Sequence, residues 1–304
     1  KLEEIELRNE LSKLENEQNN LNEILNNIDV QWKEIHSEIK NLKKDFQDIS
    51  HRKTEISDLP LVEEFDEDQF VTKEPITIIL SDQGWIRTHK SHLNDDVELK
   101  YREGDKDKFK IHAFTTDKII FFADNGRFFC VSATKLPSGR GFGEPISLII
   151  DLKAEDKIIS CFPFFEGNIV LALESGHGFK INTSNIVAQT KSGKQILNAK
   201  GDNKAKICKI IQGDTIAVVG NNRKLLVYSI DEVPELNKGK GVILQRYKDG
   251  TLSDITTFNK EDGIIWKMTG GRQRTEKDLL TWQGKRGGAG RMVPIGFPRP
   301  PIFN

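Results

Sequence analysis

Cysteine is scarce in this sequence and long apolar runs are missing, and each absence excludes a class of protein. The three cysteines, Cys130, Cys161 and Cys208, are widely separated and form no Cys-x-x-Cys pair, so neither a disulfide scaffold nor a zinc site is expected. No run approaches the roughly 18 apolar residues of a membrane-spanning helix, and the first residues lack the apolar core of a secretion signal. These features predict a reduced, soluble, cytoplasmic protein, and the start without Met indicates a fragment of a longer chain.

Sequence motifs for nucleotide binding and for metal-dependent catalysis are also missing. The stretch GRGFGE lacks the glycine spacing of a dinucleotide-binding loop, and KSGKQ lacks the spacing of a phosphate-binding loop. The six histidines include no His-Glu-x-x-His pattern, and we expect His89 and His92 to flank a surface loop. We therefore expect no catalytic, cofactor or metal site in this chain.

The charges divide the chain into two parts of opposite sign. The formal net charge is only −1, but residues 1–75 hold 10 Lys and Arg against 20 Asp and Glu, and residues 76–304 hold 35 against 26. An acidic part of net charge −10 followed by a basic part of +9 indicates two modules. The basic part is a candidate surface for a polyanion, with an ordinary solvated surface as the alternative.

The first part has the period of a coiled coil. The apolar positions alternate in spacings of four and three, with polar Gln18 in the series, and they are Leu7, Leu11, Leu14, Leu21, Leu25, Ile28, Trp32, Ile35, Ile39, Leu42, Phe46 and Ile49. Such a narrow stripe needs a partner helix, so the segment is either a simple oligomerisation coil or a mechanical arm of a larger assembly. We predict a helical arm over residues 1–56, with a break at Asn26-Asn27 where Asp29 can cap a new helix. Residues 57–73, which hold a proline and six acidic residues, are predicted to be a linker.

From residue 74 onward the sequence predicts five similar β-hairpins. Each has an apolar run, a tight turn with Gly or Asn, and a second run, which is typical of a hairpin with a positive φ at its turn. The five segments are residues 76–90, 119–137, 169–187, 216–234 and 264–282, and their turn positions are Gly84, Gly126, Gly176, Arg223 and Gly270. These positions are 42, 50, 47 and 47 residues apart, a period that indicates the blades of a propeller. The predicted fold is therefore mainly β, with five blades over residues 74–304, of which the more polar fifth closes the array or lies at its periphery.

Four of the hairpins are followed by a loop rich in glycine and cations. The loops are PSGRGFGEP, QTKSGKQ, NKGKGVILQR and QGKRGGAGRM. Glycine lets backbone N–H groups approach a phosphate, and Lys or Arg releases counterions, so the recurring loops predict a basic track for duplex DNA at the perimeter. Binding would depend on salt and hardly on sequence, whereas any single loop is also explained as a solvated turn. The residues predicted to bind DNA are Arg87, Lys90, Arg140, Lys191, Lys194, Lys238, Lys240, Lys285, Arg286 and Arg291.

The chain also resembles a known family over essentially its full length. The resemblance is carried by ILSDQGWIRTHKSH, KLPSGRGFGEPI, DEVPELNKGKGV and WQGKRGGAG, and by LEEIELRNEL and DISHRKTEI in the first part. These stretches are similar to the C-terminal region of the A subunit of bacterial type IIA DNA topoisomerases, with the topoisomerase IV branch favoured and the gyrase branch as the alternative. The resemblance implies a five-bladed β-pinwheel, a propeller-like disc that binds and bends duplex DNA along its rim, preceded by the end of a coiled-coil arm.

The resemblance further implies a place in a larger enzyme. The module would present duplex segments to an ATP-dependent strand-passage core for decatenation and supercoil relaxation, in an A2B2 assembly that dimerises through the core and takes ATP and magnesium on the B subunit. Tyr101, Tyr228 and Tyr247 lie outside the sequence context of the family's tyrosine nucleophile. The Gln-Arg-Arg-Gly-Gly-x-Gly box of gyrase is missing after the first hairpin and is partly matched within residues 283–290. A propeller on a coiled-coil stalk that binds an acidic protein is a further alternative.

Overall fold

The computed structural model describes residues 2–46, 71–94, 96–139, 141–188, 190–268 and 271–303. The chain divides into two compact units, Lys1–Phe65 and Asp66–Asn304. Four features predicted from the sequence lie outside the described residues: residues 47–56 of the arm, most of the acidic linker, Arg140 and the turn position Gly270.

The described part of the first unit is helical. Helix α1 (Leu2–Asn26) and helix α2 (Ile28–Asp45) meet at Asn27, whose side-chain oxygen accepts a hydrogen bond from Asp29 N at 3.0 Å. The predicted break is confirmed, but Asn27 rather than Asp29 is the cap. The reason is that a capping side chain must stand before the free amides at the start of the helix that it binds.

The apolar stripe of the first unit is open to solvent. Its members from Leu7 to Phe46 are 42 to 73% exposed, so nothing within the described residues covers them. Neither α1 nor α2, nor any other described helix, is long and apolar enough to span a membrane.

The described part of the second unit contains eighteen strands. They are β1 (Pro75–Ser81), β2 (Trp85–Lys90), β3 (Asp107–Phe114), β4 (Lys118–Ala123), β5 (Arg127–Ser132), β6 (Glu144–Pro145), β7 (Ile158–Pro163), β8 (Asn168–Leu173), β9 (His177–Asn182), β10 (Lys194–Gln195), β11 (Ala205–Ile210), β12 (Thr215–Gly220), β13 (Lys224–Ser229), β14 (Val242–Ile243), β15 (Leu252–Phe258), β16 (Ile264–Lys267), β17 (Gln273–Glu276) and β18 (Arg291–Met292). Four sheets have four strands each, in the orders β3-β1-β2-β6, β7-β4-β5-β10, β11-β8-β9-β14 and β15-β12-β13-β18. Strands β16 and β17 form a two-stranded sheet. These are sheets 1 to 5 below.

Each predicted hairpin forms the centre of one sheet. The turn positions Gly84, Gly126 and Gly176 have φ angles of 84°, 82° and 79°, and Arg223 has 60°, so the prediction of positive φ is confirmed at these four. The fifth hairpin is present as β16 and β17, but its sheet has no third or fourth strand among the described residues. The five predicted blades are therefore not equivalent.

Sheets 1 to 4 are completed by strands from farther along the chain. The third strand of each sheet, β3, β7, β11 or β15, pairs with the first strand of the hairpin, and these strands lie next to one another from sheet to sheet. The fourth strand lies at the opposite, outer edge and comes from the loop after the next hairpin. Thus β6, which follows β5 of sheet 2, pairs with β2 of sheet 1, with Pro145 opposite Trp85. This exchange ties every sheet to its successor.

The core lies between consecutive sheets. In β4, Ile119 and Phe121 pack toward sheet 1, whereas Ile120 and Phe122 pack toward sheet 3, and all four are fully buried. Because successive side chains of a strand point to opposite faces, β4 contributes to two cores at once. Strands β8 and β12 do the same, so four apolar clusters join sheets 1 to 5 in order. None of the four, within the described residues, joins sheet 5 to sheet 1.

The C-terminal segment covers the last of these cores. Val293, Phe297 and Phe303 are buried in the cluster between sheets 4 and 5. Phe303 N donates to Asp254 Oδ2 at 2.9 Å, and Arg223 Nη1 donates to Pro298 O at 2.9 Å. The Arg223 bond explains why a turn that favours glycine carries an arginine, since glycine could not bind the segment.

Candidate nucleic-acid interface

The four loops rich in glycine and cations lie at the outer edges of sheets 1 to 4. Outer loops 1 to 4 comprise residues 137–145, 189–195, 234–243 and 282–292, and each is numbered by the sheet whose edge it completes. The residues between the two ends of such a loop form its tip.

Outer loop 4 shows how both ends of a loop are attached to one strand. Val227 N donates to Trp282 O at 2.9 Å where the loop begins, and Arg291 pairs with Leu225 where it ends. Outer loops 1 and 3 begin in the same way, at Pro137 O and Pro234 O. Both ends are therefore held on the outer strand, and the tip between them carries the glycines and cations.

One glycine stands directly before the exchanged strand in every outer loop. These glycines are Gly143, Gly193, Gly241 and Gly290, with φ angles of 87°, 66°, 79° and 76°. A Cβ on any of them would lie 2.2 to 2.6 Å from a backbone carbonyl oxygen of the neighbouring strand. We predicted that loop glycines allow close approach of phosphate, but at these four positions glycine is needed for the approach of two strands. Gly139 and Gly141, in the tip of outer loop 1, have open space where a Cβ would lie.

Backbone hydrogen bonds link successive outer loops to one another. Asp151 N, shortly after outer loop 1, donates to Lys191 O of outer loop 2 at 2.9 Å. Gly239 N of outer loop 3 donates to Ile196 O at 2.9 Å, just after outer loop 2. Gly287 N of outer loop 4 donates to Leu244 O at 3.0 Å, just after outer loop 3. The tips thus form a connected series along the outer edges of the four sheets.

Six of the ten predicted DNA-binding residues are exposed at these edges with their cationic groups free. Their side chains make no hydrogen bond or ion pair within the described part of the chain, and they are Lys90, Lys191, Lys238, Lys240, Lys285 and Arg291. Exposed, unpaired cations at recurring positions are suited to contacts with phosphates.

Three other predicted residues use their cationic groups within the fold. The exposed Lys194 donates from Nζ to Asn185 O at 2.7 Å. Arg286 is half-buried: its Nη1 donates to Ile243 O at 2.9 Å, and its Nε is buried without a partner. Arg87, also half-buried, donates from Nη1 to Gly141 O and from Nη2 to Lys100 O at 2.9 Å. The tenth residue, Arg140, lies outside the described residues.

Sequence reasoning missed two arginines at the outer edges. Arg127, the first residue of β5, donates from Nη1 to Ser192 O of outer loop 2 at 2.9 Å. The guanidinium of Arg102 lies 4.0 Å from the centre of the Trp85 ring in sheet 1. Neither residue belongs to a glycine-rich stretch, so composition gave no signal for them.

His177 reports the charge of the nearby Lys240. Burial lowers the pKa of His177 below its ordinary value of 6.5, and the positive charge of Lys240 lowers it further. Because the folded pKa is below the unfolded one, the neutral ring contributes stability above the unfolded pKa, and this is lost as pH falls through the folded pKa. We expect Lys240→Gln to raise the pKa of His177 in an NMR titration, and Lys238→Gln to leave it unchanged. Equal pKa values in wild type and Lys240→Gln would contradict this placement of the ammonium group.

The three tyrosines are engaged in packing. Burial raises the pKa of each hydroxyl, and for Tyr101 the hydrogen bond to Asp107 raises it further. Tyr228 lies in the core between sheets 3 and 4, and Tyr247 packs against the same core. Among the residues that the structure describes, no three His, Cys, Asp or Glu side chains are grouped as metal ligands.

Comparison with known proteins gives relatives for nearly the whole chain. The family described as DNA gyrase C-terminal domain, beta-propeller, matches residues 117–164 and 214–258. The A subunit of DNA topoisomerase 4 from Rickettsia bellii is 43% identical over 98% of this chain and 41% of its own length. The corresponding protein of Caulobacter vibrioides is 40% identical over the same shares. The chain thus spans about two fifths of the length of these curated relatives.

A solved structure shows the same fold. The C-terminal domain of E. coli ParC aligns with a TM-score of 0.64 at 24% identity, covering 73% of this chain and 95% of that domain. The second unit is therefore a propeller-like β domain, and the chain is mainly β with two N-terminal helices. By sequence this chain belongs to the family of bacterial type IIA DNA topoisomerase A subunits, to whose C-terminal region it is similar.

Proposed function

We propose that the chain contains the DNA-binding and DNA-bending module of a topoisomerase IV A subunit. The observation that carries this proposal is the recurrence of one loop at the outer edges of four successive sheets, each with a cation at or beside its tip. Phosphates recur along a duplex, so a series of cations at repeated positions fits a long bent duplex better than a compact partner.

The proposal extends to the architecture of the whole chain. Residues 74–304 form a five-bladed β-pinwheel in which sheet 5 is the reduced last blade, and residues 57–73 are the linker. The exposed stripe of α1 and α2 supports a coiled-coil arm over residues 1–56, because apolar side chains at this spacing are stable when a second helix covers them.

The proposed biological role follows from the family. The module presents duplex segments to a cytoplasmic strand-passage enzyme that decatenates and relaxes DNA. That enzyme is an A2B2 assembly whose A subunits dimerise through their core and whose ATPase B subunits take ATP and magnesium. Gyrase-like wrapping is the alternative, and a ligation assay that counts supercoils trapped by the bound protein separates the two. Strong trapping of one sign would favour gyrase.

Outer loop 3 provides the test of DNA binding. We expect Lys238→Glu with Lys240→Glu to weaken binding of random-sequence duplex DNA by about 10-fold or more at low salt. The slope of log affinity against log salt should fall by about 1.8, because each lost phosphate contact removes about 0.9. Fluorescence anisotropy titrations at several ionic strengths measure both quantities.

The matched control is Lys153→Glu with Lys157→Glu. It makes the same change of charge at two exposed lysines in the turn before β7, away from the outer edges. We expect the control to retain the wild-type salt slope. If the outer-loop variant titrates like wild type, or if the control loses as much binding, the outer loops are not the DNA surface.

A further inference from the structure

Arginines on the outer strands of sheets 1 and 2 bind the backbone of the outer loops. Arg87 of β2 donates to Gly141 O in the tip of outer loop 1 and to Lys100 O in the loop between β2 and β3. Arg127 of β5 donates to Ser192 O in the tip of outer loop 2. Both side chains are half-buried, whereas the lysines at the outer edges are exposed. The two kinds of cation at the same edges are thus used differently.

The chemistry of the two side chains accounts for the difference. A guanidinium group is planar and presents several donors in a fixed arrangement, so Arg87 can serve two carbonyl groups at once. An ammonium group is compact and strongly hydrated, and on its flexible stem it can follow a phosphate in solvent. The structure shows the arginines donating to carbonyl oxygens of the loops and leaves Lys191, Lys238, Lys240 and Lys285 open to solvent.

The tip of outer loop 2 shows what the arginine holds in place. A turn is closed by Gly193 N donating to Thr190 O at 3.0 Å, and Ser192 O, inside this turn, accepts from Arg127. Arg127 is itself held, because its backbone N donates to Asn125 Oδ1 at 2.9 Å. Ser192 is the direct neighbour of Lys191. The orientation of this lysine therefore depends on the Arg127 bond.

We propose that Arg87 and Arg127 are positioning residues that hold the outer-loop tips so that the exposed lysines bind the duplex. The inference rests on the proposed function, since it concerns the same DNA surface. It assigns Arg87 a role different from the phosphate contact predicted from the sequence, and it adds Arg127 to the interface. Without the guanidinium, a glycine-containing tip attached only at its ends samples more conformations, and ordering it on DNA costs binding free energy.

A double-mutant cycle in the whole chain separates positioning from direct contact. We expect Arg127→Gln to weaken duplex binding about 3- to 5-fold. In a Lys191→Gln, Lys194→Gln background the same substitution should change affinity less than about 2-fold, because the lysines through which it acts are gone. An equal loss in both backgrounds, with the salt slope lowered by about 0.9 each time, would mean that Arg127 binds phosphate itself and would overturn the inference.

Two further measurements keep the result interpretable. Hydrogen exchange of the amides of residues 190–194 should become faster in Arg127→Gln without DNA, and unchanged exchange would contradict the inference independently of binding. The control Arg274→Gln removes a guanidinium that donates to Ile295 O, outside the four outer loops, and should change affinity less than about 2-fold. If the wild-type chain does not bind duplex DNA at all, the proposed function fails. Binding by wild type with an additive cycle defeats only the inference about Arg127.

Discussion

Replacing Gly241 with alanine is expected to lower the free energy of unfolding by about 3 kcal/mol. Gly241 has a φ of 79°, which costs about 1–2 kcal/mol for a residue with a Cβ, and the new Cβ would lie 2.3 Å from Gly178 O. Backbone atoms cannot move away as a flexible side chain would. The substitution therefore separates β14 from β9 and removes the outer edge of sheet 3.

Gly201 provides the matched control for this effect. Its φ is 56°, and no atom lies within 4 Å of the position that a Cβ would take. Gly201→Ala therefore carries the conformational cost without the collision, and we expect a loss of about 1 kcal/mol. Urea unfolding followed by circular dichroism measures both variants. Equal losses would show that the contact between Gly241 and Gly178 does not constrain the exchanged strand.

The second large effect is expected from Phe121→Ala, with a loss of about 3–5 kcal/mol. Phe121 is fully buried in the core between sheets 1 and 2, in the middle of β4. Truncation removes apolar burial and leaves a cavity between two sheets whose backbones are held by their own ladders, so the cavity closes only in part. Urea unfolding at about 25 °C measures the loss.

Phe142→Ala is the control for Phe121→Ala. Phe142 lies in the tip of outer loop 1 and is 47% exposed, so the same truncation removes little buried area. We expect a change within about 0.5 kcal/mol. A similar loss in both variants would contradict the view that the core between consecutive sheets carries the stability of this unit.

The hairpins could be predicted because their signals are local. In β4 and β5 the apolar runs flank a turn at Gly126, so the pairing of Ile120 with Cys130 lies within a few residues of the turn. The exchanged strands could not be predicted in this way. Strand β6 has only two residues, Glu144 and Pro145, and two residues show no period. Its partner Trp85 lies far earlier in the chain, before two further strands of its own sheet and the next, and no local pattern reports such a distance.

The candidate interface was predicted in composition but not in the use of its residues. Glycine and cations in four loops were visible in the sequence, and six of the predicted residues are exposed at the outer edges. The sequence alone could not show that Arg286 binds Ile243 O or that Arg127 binds Ser192 O. A cation in a loop looks the same in sequence whether its partner is solvent or a carbonyl group brought near by another sheet.

The sequence by itself determined the β-hairpins, their turn positions and the supply of cations to the outer loops. Turns, strand periods and charge depend on residues close together in the chain, so they can be deduced before the chain is folded. Only the tertiary structure decided which sheet each outer loop completes, why Gly143, Gly193, Gly241 and Gly290 must be glycine, and which cations remain free. Those properties depend on atoms of two sheets that meet only when the strands are exchanged.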